Sequence, residues 1–205
     1  MKKFLLVACL AAVLPLLAET NVLVFAGSLR SDSYNKKLAR EAAETAGKMG
    51  ARVTLIDLKD FSMPFYDADL EVSDGMPKNA KRLRDLMIAS DAVVISSPEY
   101  NHSIPAVLKN TLDWVSRSEK GGGSKEAFKG KKFVIMSAAA GKSGGASALG
   151  HLRAIIEDCG GEVLQHQVSV ARAYENGALE SASVKKELHK GLQQMIGNKL
   201  AQNED

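Results

Sequence analysis

The chain has 205 residues, of which 45% are hydrophobic and 25% are charged, with a formal net charge of +3. This length suits one α/β domain and is too short for two nucleotide-binding domains. The basic residues are dispersed among acidic ones, without the concentrated positive surface of nucleic-acid binding proteins, so we expect no nucleic-acid partner.

The first residues of the chain have the pattern of a signal peptide. Lys2 and Lys3 precede an apolar run over residues 4–17, which is shorter than the ~20 residues that a membrane-spanning helix needs. The pattern predicts cleavage after Ala18, export to the periplasm or medium, no stable membrane span and a mature domain over residues 19–205. Without processing, the protein would stay in the cytoplasm. Cleavage leaves Cys159 alone, so no internal disulfide can form.

Along the rest of the chain, β-branched apolar segments alternate with helical patterns. Strands are expected at residues 22–26, 53–58, 92–96, 133–138 and 163–170, and helices at 35–49, 77–89, 105–117, 147–158 and 180–200. Strands joined by helices are expected to be parallel, with helices on both faces of the sheet. The pattern therefore predicts a doubly wound α/β fold with five parallel strands in the order 2-1-3-4-5.

A polar loop follows the first predicted strand and leads into a helix. It offers the hydroxyls of Ser28 and Ser33, the amide of Asn35 and the charge of Arg30, at a helix N-terminus whose dipole favours phosphate. The loop lacks the Gly-x-Gly-x-x-Gly pattern of dinucleotide sites. It therefore indicates a mononucleotide.

The loops after the third and fourth strands should meet this loop at the same edge of the sheet. Tyr100 and Asn101 could contact a flat, polar ring, and the small residues of 137–145 would let a planar ligand lie against the backbone. Together, the phosphate loop and a loop suited to a flat, polar ring indicate a flavin mononucleotide. Glu99 is interpreted as a binding or structural residue, because the hydride chemistry of a flavin needs no acid or base from the protein. The histidines are scattered and have no metal-ligand spacing, so no metal site is predicted.

These loops and two further segments carry a resemblance to a known family. Residues 27–35 and 98–101, together with residues 64–69 and 108–114, resemble the NADPH-dependent FMN reductase family, and most closely its quinone and chromate reductase branch. His102 stands where many members carry glycine. The resemblance implies a flavodoxin-like three-layer sandwich that binds FMN. The cofactor-binding residues that it implies are Ser28, Arg30, Ser33, Tyr34, Asn35, Pro98, Glu99, Tyr100, Asn101, Ser137, Ala139 and Gly141.

The resemblance also implies an activity and a partner. It predicts ping-pong, two-electron reduction of quinones, azo compounds, chromate or free flavin by NADPH or NADH, in a homodimer or homotetramer, with no side chain doing the hydride chemistry. A flavodoxin-like electron-transfer or flavin-carrier protein is the alternative, although the slightly basic chain lacks the acidic surface usual in flavodoxins. A hydrolase on this fold is disfavoured, because the Gly-x-Ser-x-Gly turn is missing.

Overall fold

The computed structural model of the protein describes residues 19–201. The strands are β1 (Asn21–Ala26), β2 (Arg52–Asp57), β3 (Ala92–Ser96), β4 (Lys132–Ala138), β5 (Glu162–Val163) and β6 (Val168–Val170). They form one parallel sheet in the order β2-β1-β3-β4-β5, which confirms the predicted order, and the short β6 also pairs with β4. The predicted leader over residues 1–18 lies outside the described residues.

Helices cover both faces of the sheet and make three layers. They are α1 (Tyr34–Lys48), α2 (Ala68–Asp74), α3 (Lys78–Ala89), α4 (Ala106–Val115), α5 (Ala146–Asp158) and α6 (Ala182–Ala201), with a 3₁₀ turn at Leu58–Phe61. The short α2 was not predicted from the sequence. Within residues 19–201, no helix combines the length and the apolar composition needed to cross a membrane.

The central strands are apolar throughout because helices bury both of their faces. Along β1, Val22 and Val24 pack in the core beneath α1 and α6, whereas Leu23 and Phe25 pack in the second core, beneath α3, α4 and α5. The side chains therefore alternate between the two cores, as the two-residue period of a strand requires.

The fifth strand is not continuous, in contrast to the prediction of one strand over residues 163–170. The Arg153 guanidinium, on α5, donates to the carbonyl oxygens of Val163 (2.9 Å) and Leu164 (2.8 Å). Beyond them, His166 pairs with Glu187 on α6. The chain leaves the sheet between β5 and β6, and this connecting segment is held by side chains of α5 and α6.

The segment before α2 is fastened to α4 by polar contacts. The indole Nε1 of Trp114, which is fully buried, donates to the Pro64 carbonyl at 2.9 Å, and the Tyr66 ring packs edge-on against the indole. Arg117 forms hydrogen bonds to both carboxylate oxygens of Glu71, at 3.0 and 2.8 Å. The Arg117 guanidinium holds the pKa of Glu71 below its ordinary value.

Candidate functional site

A cleft of about 270 Å³ lies where the carboxyl ends of β1, β3 and β4 meet. It is formed by the three loops that the sequence singled out. Its lining residues are Arg30, Ser33, Tyr34, Asn35, Pro98, Glu99, Tyr100, Ala138, Ala139, Ala140, Gly141 and Ser143. This is the crevice in which doubly wound folds bind their ligands.

The N-terminus of α1 borders the cleft, and its first backbone N–H groups have no hydrogen-bond partner within the helix. The first helical hydrogen bond runs from Lys37 N–H to the Ser33 carbonyl at 3.1 Å, which leaves the three preceding amides of the helix without helical partners. Ser33 has the extended backbone of an N-cap residue, but its hydroxyl makes no capping bond. The first turn also has no acidic residue. These groups can accept an anion.

Arg30 supplies the positive charge of this loop. Its side chain is exposed at the cleft, and no hydrogen bond or ion pair of its guanidinium occurs within the part of the chain that the structure describes. Ser28 is buried and accepts a hydrogen bond from the Arg30 N–H at 3.3 Å, so it shapes the loop from beneath instead of lining the cleft. Lys59 adds a second charge nearby by donating to the Ser31 hydroxyl at 2.6 Å.

The side chain of Asn35 connects the N-terminus of α1 to the edge of the sheet. Its amide donates to the Ala138 carbonyl at 2.8 Å and accepts from the Ala138 N–H and the Ser96 hydroxyl, both at 2.9 Å. Asn35 therefore fastens α1 to the ends of β3 and β4. The amide nitrogen carries two N–H groups and one of them bonds Ala138, so the expectation that Asn35 also holds phosphate stays a prediction.

The loop after β3 ends in a tight turn at the rim of the cleft. Tyr100 and Ser103 exchange backbone hydrogen bonds at 2.9 and 3.0 Å, and the two residues between them are left-handed, with φ of 51° at Asn101 and 61° at His102. This is the geometry of a two-residue hairpin turn. Asn101 lies at the exposed tip and does not line the cleft, whereas Tyr100 lines it and remains 48% exposed.

The loop after β4 gives the cleft a backbone surface. Ala139, Ala140 and Gly141 line it, as expected from their small size. Ser137, for which a ring contact is predicted, is fully buried and does not line the cleft, and its hydroxyl has no hydrogen-bond partner among residues 19–201. A Cβ atom on Gly145 would lie 2.0 Å from the Ser137 hydroxyl, so this close approach requires glycine.

Sequence reasoning located the lining of the cleft but missed most of the contacts that hold the loops. Ala138, Ala140 and Ser143 line the cleft and lie within the predicted third loop over residues 137–145, although none of the three is among the individually predicted cofactor-binding residues. Volume alone would not have found the site, since a larger cavity of about 440 Å³ lies near Lys131, at the opposite ends of the strands. The convergent donors distinguish the cleft.

Together the sheet order and the cleft define a flavodoxin-like α/β protein with a polar cleft at its switch point. The profile of the NADPH-dependent FMN reductase family matches residues 20–175, and the chain belongs to this family. Membership implies the use of FMN and NAD(P)H.

Known proteins agree with this assignment. The chain is 38% identical over 135 residues to an NAD(P)H-dependent FMN reductase from Pseudomonas aeruginosa, covering 66% of this chain and 68% of that protein. It is 35% identical over 141 residues to the quinone reductase of Escherichia coli K12, covering 67% and 70%. Among solved structures, the flavoenzyme NAD(P)H:(acceptor) oxidoreductase of Paracoccus denitrificans has a TM-score of 0.71 and 27% identity, covering 89% of this chain and 98% of that one.

Proposed function

We propose that the cleft binds FMN and that the protein uses NADPH or NADH to reduce a small acceptor of the quinone class by two electrons. The observation that carries this proposal is the free N-terminus of α1 beside Ser33 and Arg30, at the edge where two further loops leave room for a planar ring. The similarity to an E. coli quinone reductase supports the acceptor class.

The residues present fit a phosphorylated mononucleotide. The Ser33 hydroxyl is not used in capping, the Arg30 guanidinium is available, and the amides at the start of α1 can donate to phosphate oxygens. Pro98 and Tyr100 from one loop, and Ala139 and Gly141 from the other, would line the ribityl chain and the ring.

FMN held by these residues would supply the chemistry of hydride transfer between NAD(P)H and the acceptor. The chain's own residues bind and orient, and no side chain is assigned a proton transfer. Because the same cleft would receive both substrates in turn, initial rates measured against both should follow a ping-pong pattern. Azo compounds, chromate and free flavin are further candidate acceptors.

The test begins with the absorbance spectrum of the purified protein and titration of the apoprotein with FMN. Anaerobic mixing of the loaded protein with NADPH should bleach the yellow colour rapidly, and adding a benzoquinone should restore it. A protein that binds FMN but stays yellow with both NADPH and NADH would instead support the flavin-carrier alternative. Failure to bind FMN would overturn the proposal itself.

We also propose that the protein works as a homo-oligomer. Large apolar side chains are exposed at Leu29 (46% exposed), at Phe65 (75%) and at Val72 (87%) on α2. Leu29 and Phe65 border a mostly apolar groove of about 370 Å³ that also includes Met63 and Val107. A second copy of the chain would cover this surface.

Light scattering should show a dimer or tetramer, and Phe65→Glu should reduce the assembly to monomers.

A further inference from the structure

Glu99 joins two of the loops that form the cleft. It lies in the loop after β3, and its Oε2 accepts a hydrogen bond from the Ala148 N–H, at the third residue of α5, at 3.1 Å. This helix begins where the loop after β4 ends. The bond therefore connects the two loops that line the ring side of the cleft, across 49 positions of sequence.

The surroundings of Glu99 make this connection firm. The carboxylate side chain is only 12% exposed, although it borders a cleft. The Ala148 amide is one of the helix-start donors that have no partner within their own helix, and an anion is favoured there by the helix dipole. The position that a Cβ atom on Gly145 would occupy lies 3.8 Å from the Glu99 Cβ, so the start of α5 packs directly against this residue.

We propose that Glu99 is a positioning residue, which holds the loop after β3 at a set distance from the start of α5 and so shapes the ring side of the cleft. The role in ligand binding rests on the proposed FMN function. The hydrogen bond that positions the loop forms without a ligand, so the positioning role can be tested on the apoprotein. Side-chain length matters more than charge, because Oε2 is held by the hydrogen bond from one backbone amide, whereas Oε1 has a longer contact of 3.7 Å with Nδ1 of the exposed His102.

Two substitutions separate the effect of side-chain length from the effect of side-chain charge. Glu99→Gln keeps the length of the side chain and an acceptor oxygen, whereas Glu99→Asp keeps the charge but is shorter by one methylene group. Glu44→Asp, at an exposed position on α1, is the matched control. Hydrogen exchange is measured on the apoproteins, and the dissociation constant for FMN is measured by quenching of flavin fluorescence.

We expect Glu99→Asp to speed exchange in residues 97–105 and 139–149 and to weaken FMN binding about tenfold, as suits the loss of one charge-assisted hydrogen bond. Glu99→Gln should stay within about threefold of the unmodified protein in both measurements, as suits a retained neutral hydrogen bond. The proposal is overturned if Glu99→Asp matches the Glu44→Asp control in exchange and affinity, or if Glu99→Gln is as impaired as Glu99→Asp. Failure of the unmodified protein to bind FMN would overturn the proposed function, while the exchange data would still test the positioning.

Discussion

Asn35→Ala tests whether this side chain fastens the sheet edge or holds the ligand. Asn35 is 3% exposed, and its removal leaves three polar groups without a partner: the N–H and C=O of Ala138 and the hydroxyl of Ser96. At about 1 kcal/mol for each lost hydrogen bond, the free energy of unfolding should fall by about 3 kcal/mol. This is a large share of the ~5–15 kcal/mol that stabilises an ordinary domain.

Urea denaturation of the apoprotein, followed by circular dichroism, measures this loss without any contribution from a ligand. Ser96→Ala removes only one of the three bonds and should cost about 1 kcal/mol. Asn79→Ala is the control, because the half-buried Asn79 on α3 donates one solvent-exposed hydrogen bond to the Ser62 carbonyl; its loss should cost less than about 1 kcal/mol.

The reasoning would be refuted by an Asn35→Ala protein that is as stable as the Asn79→Ala control but no longer retains FMN. That result would show that the side chain contacts the ligand directly. Lost stability together with weaker FMN binding is the expected outcome, because Ala138 lies at the start of a loop that lines the cleft.

Three further predictions follow from single side chains. Arg30→Ala should raise the dissociation constant for FMN by roughly ten- to a hundredfold, which corresponds to the loss of one charged contact of about 1.5–3 kcal/mol. Arg40→Ala, at an exposed position on α1 outside the cleft, is the control for charge. His102→Gly should stabilise the protein to urea by about 1 kcal/mol, because φ of 61° is unfavourable for histidine and costs glycine little. Arg117 lowers the pKa of Glu71 below its ordinary value of 4.5. This pair should therefore stabilise the fold fully above pH 4.5, and that stabilisation should be lost as the pH falls through the lowered pKa of Glu71. The melting temperature should therefore fall more steeply between about pH 6 and about pH 3 in the unmodified protein than in Glu71→Gln.

Each of these has an opposite result that is equally measurable. Equal FMN affinities in the Arg30→Ala and Arg40→Ala proteins would remove Arg30 from the phosphate site. A less stable His102→Gly protein would mean that the imidazole makes a contact worth more than the backbone cost. Parallel melting curves against pH for Glu71→Gln and the unmodified protein would show that the Glu71–Arg117 pair adds nothing to stability.

The fold could be predicted from the sequence because its signals are local. The apolar run of β1 is continuous because the strand is buried on both faces, and such strands alternating with helical patterns indicate a parallel sheet. The parts that were missed lack a signal of this kind. Nothing local indicates that Arg153 donates to the carbonyls of Val163 and Leu164, or that the predicted fifth strand is interrupted between Val163 and Val168.

The sequence by itself determined where the three polar loops lie, because parallel strands bring their carboxyl ends to one edge and a helix N-terminus favours phosphate. Only the tertiary structure decided what each side chain does there. Asn35 faces Ala138, which is 103 positions away, and Glu99 faces the Ala148 amide across 49 positions. A hydrogen bond depends on distances of a few tenths of an ångström between groups far apart in the chain, and those distances exist only once the helices have packed on the sheet.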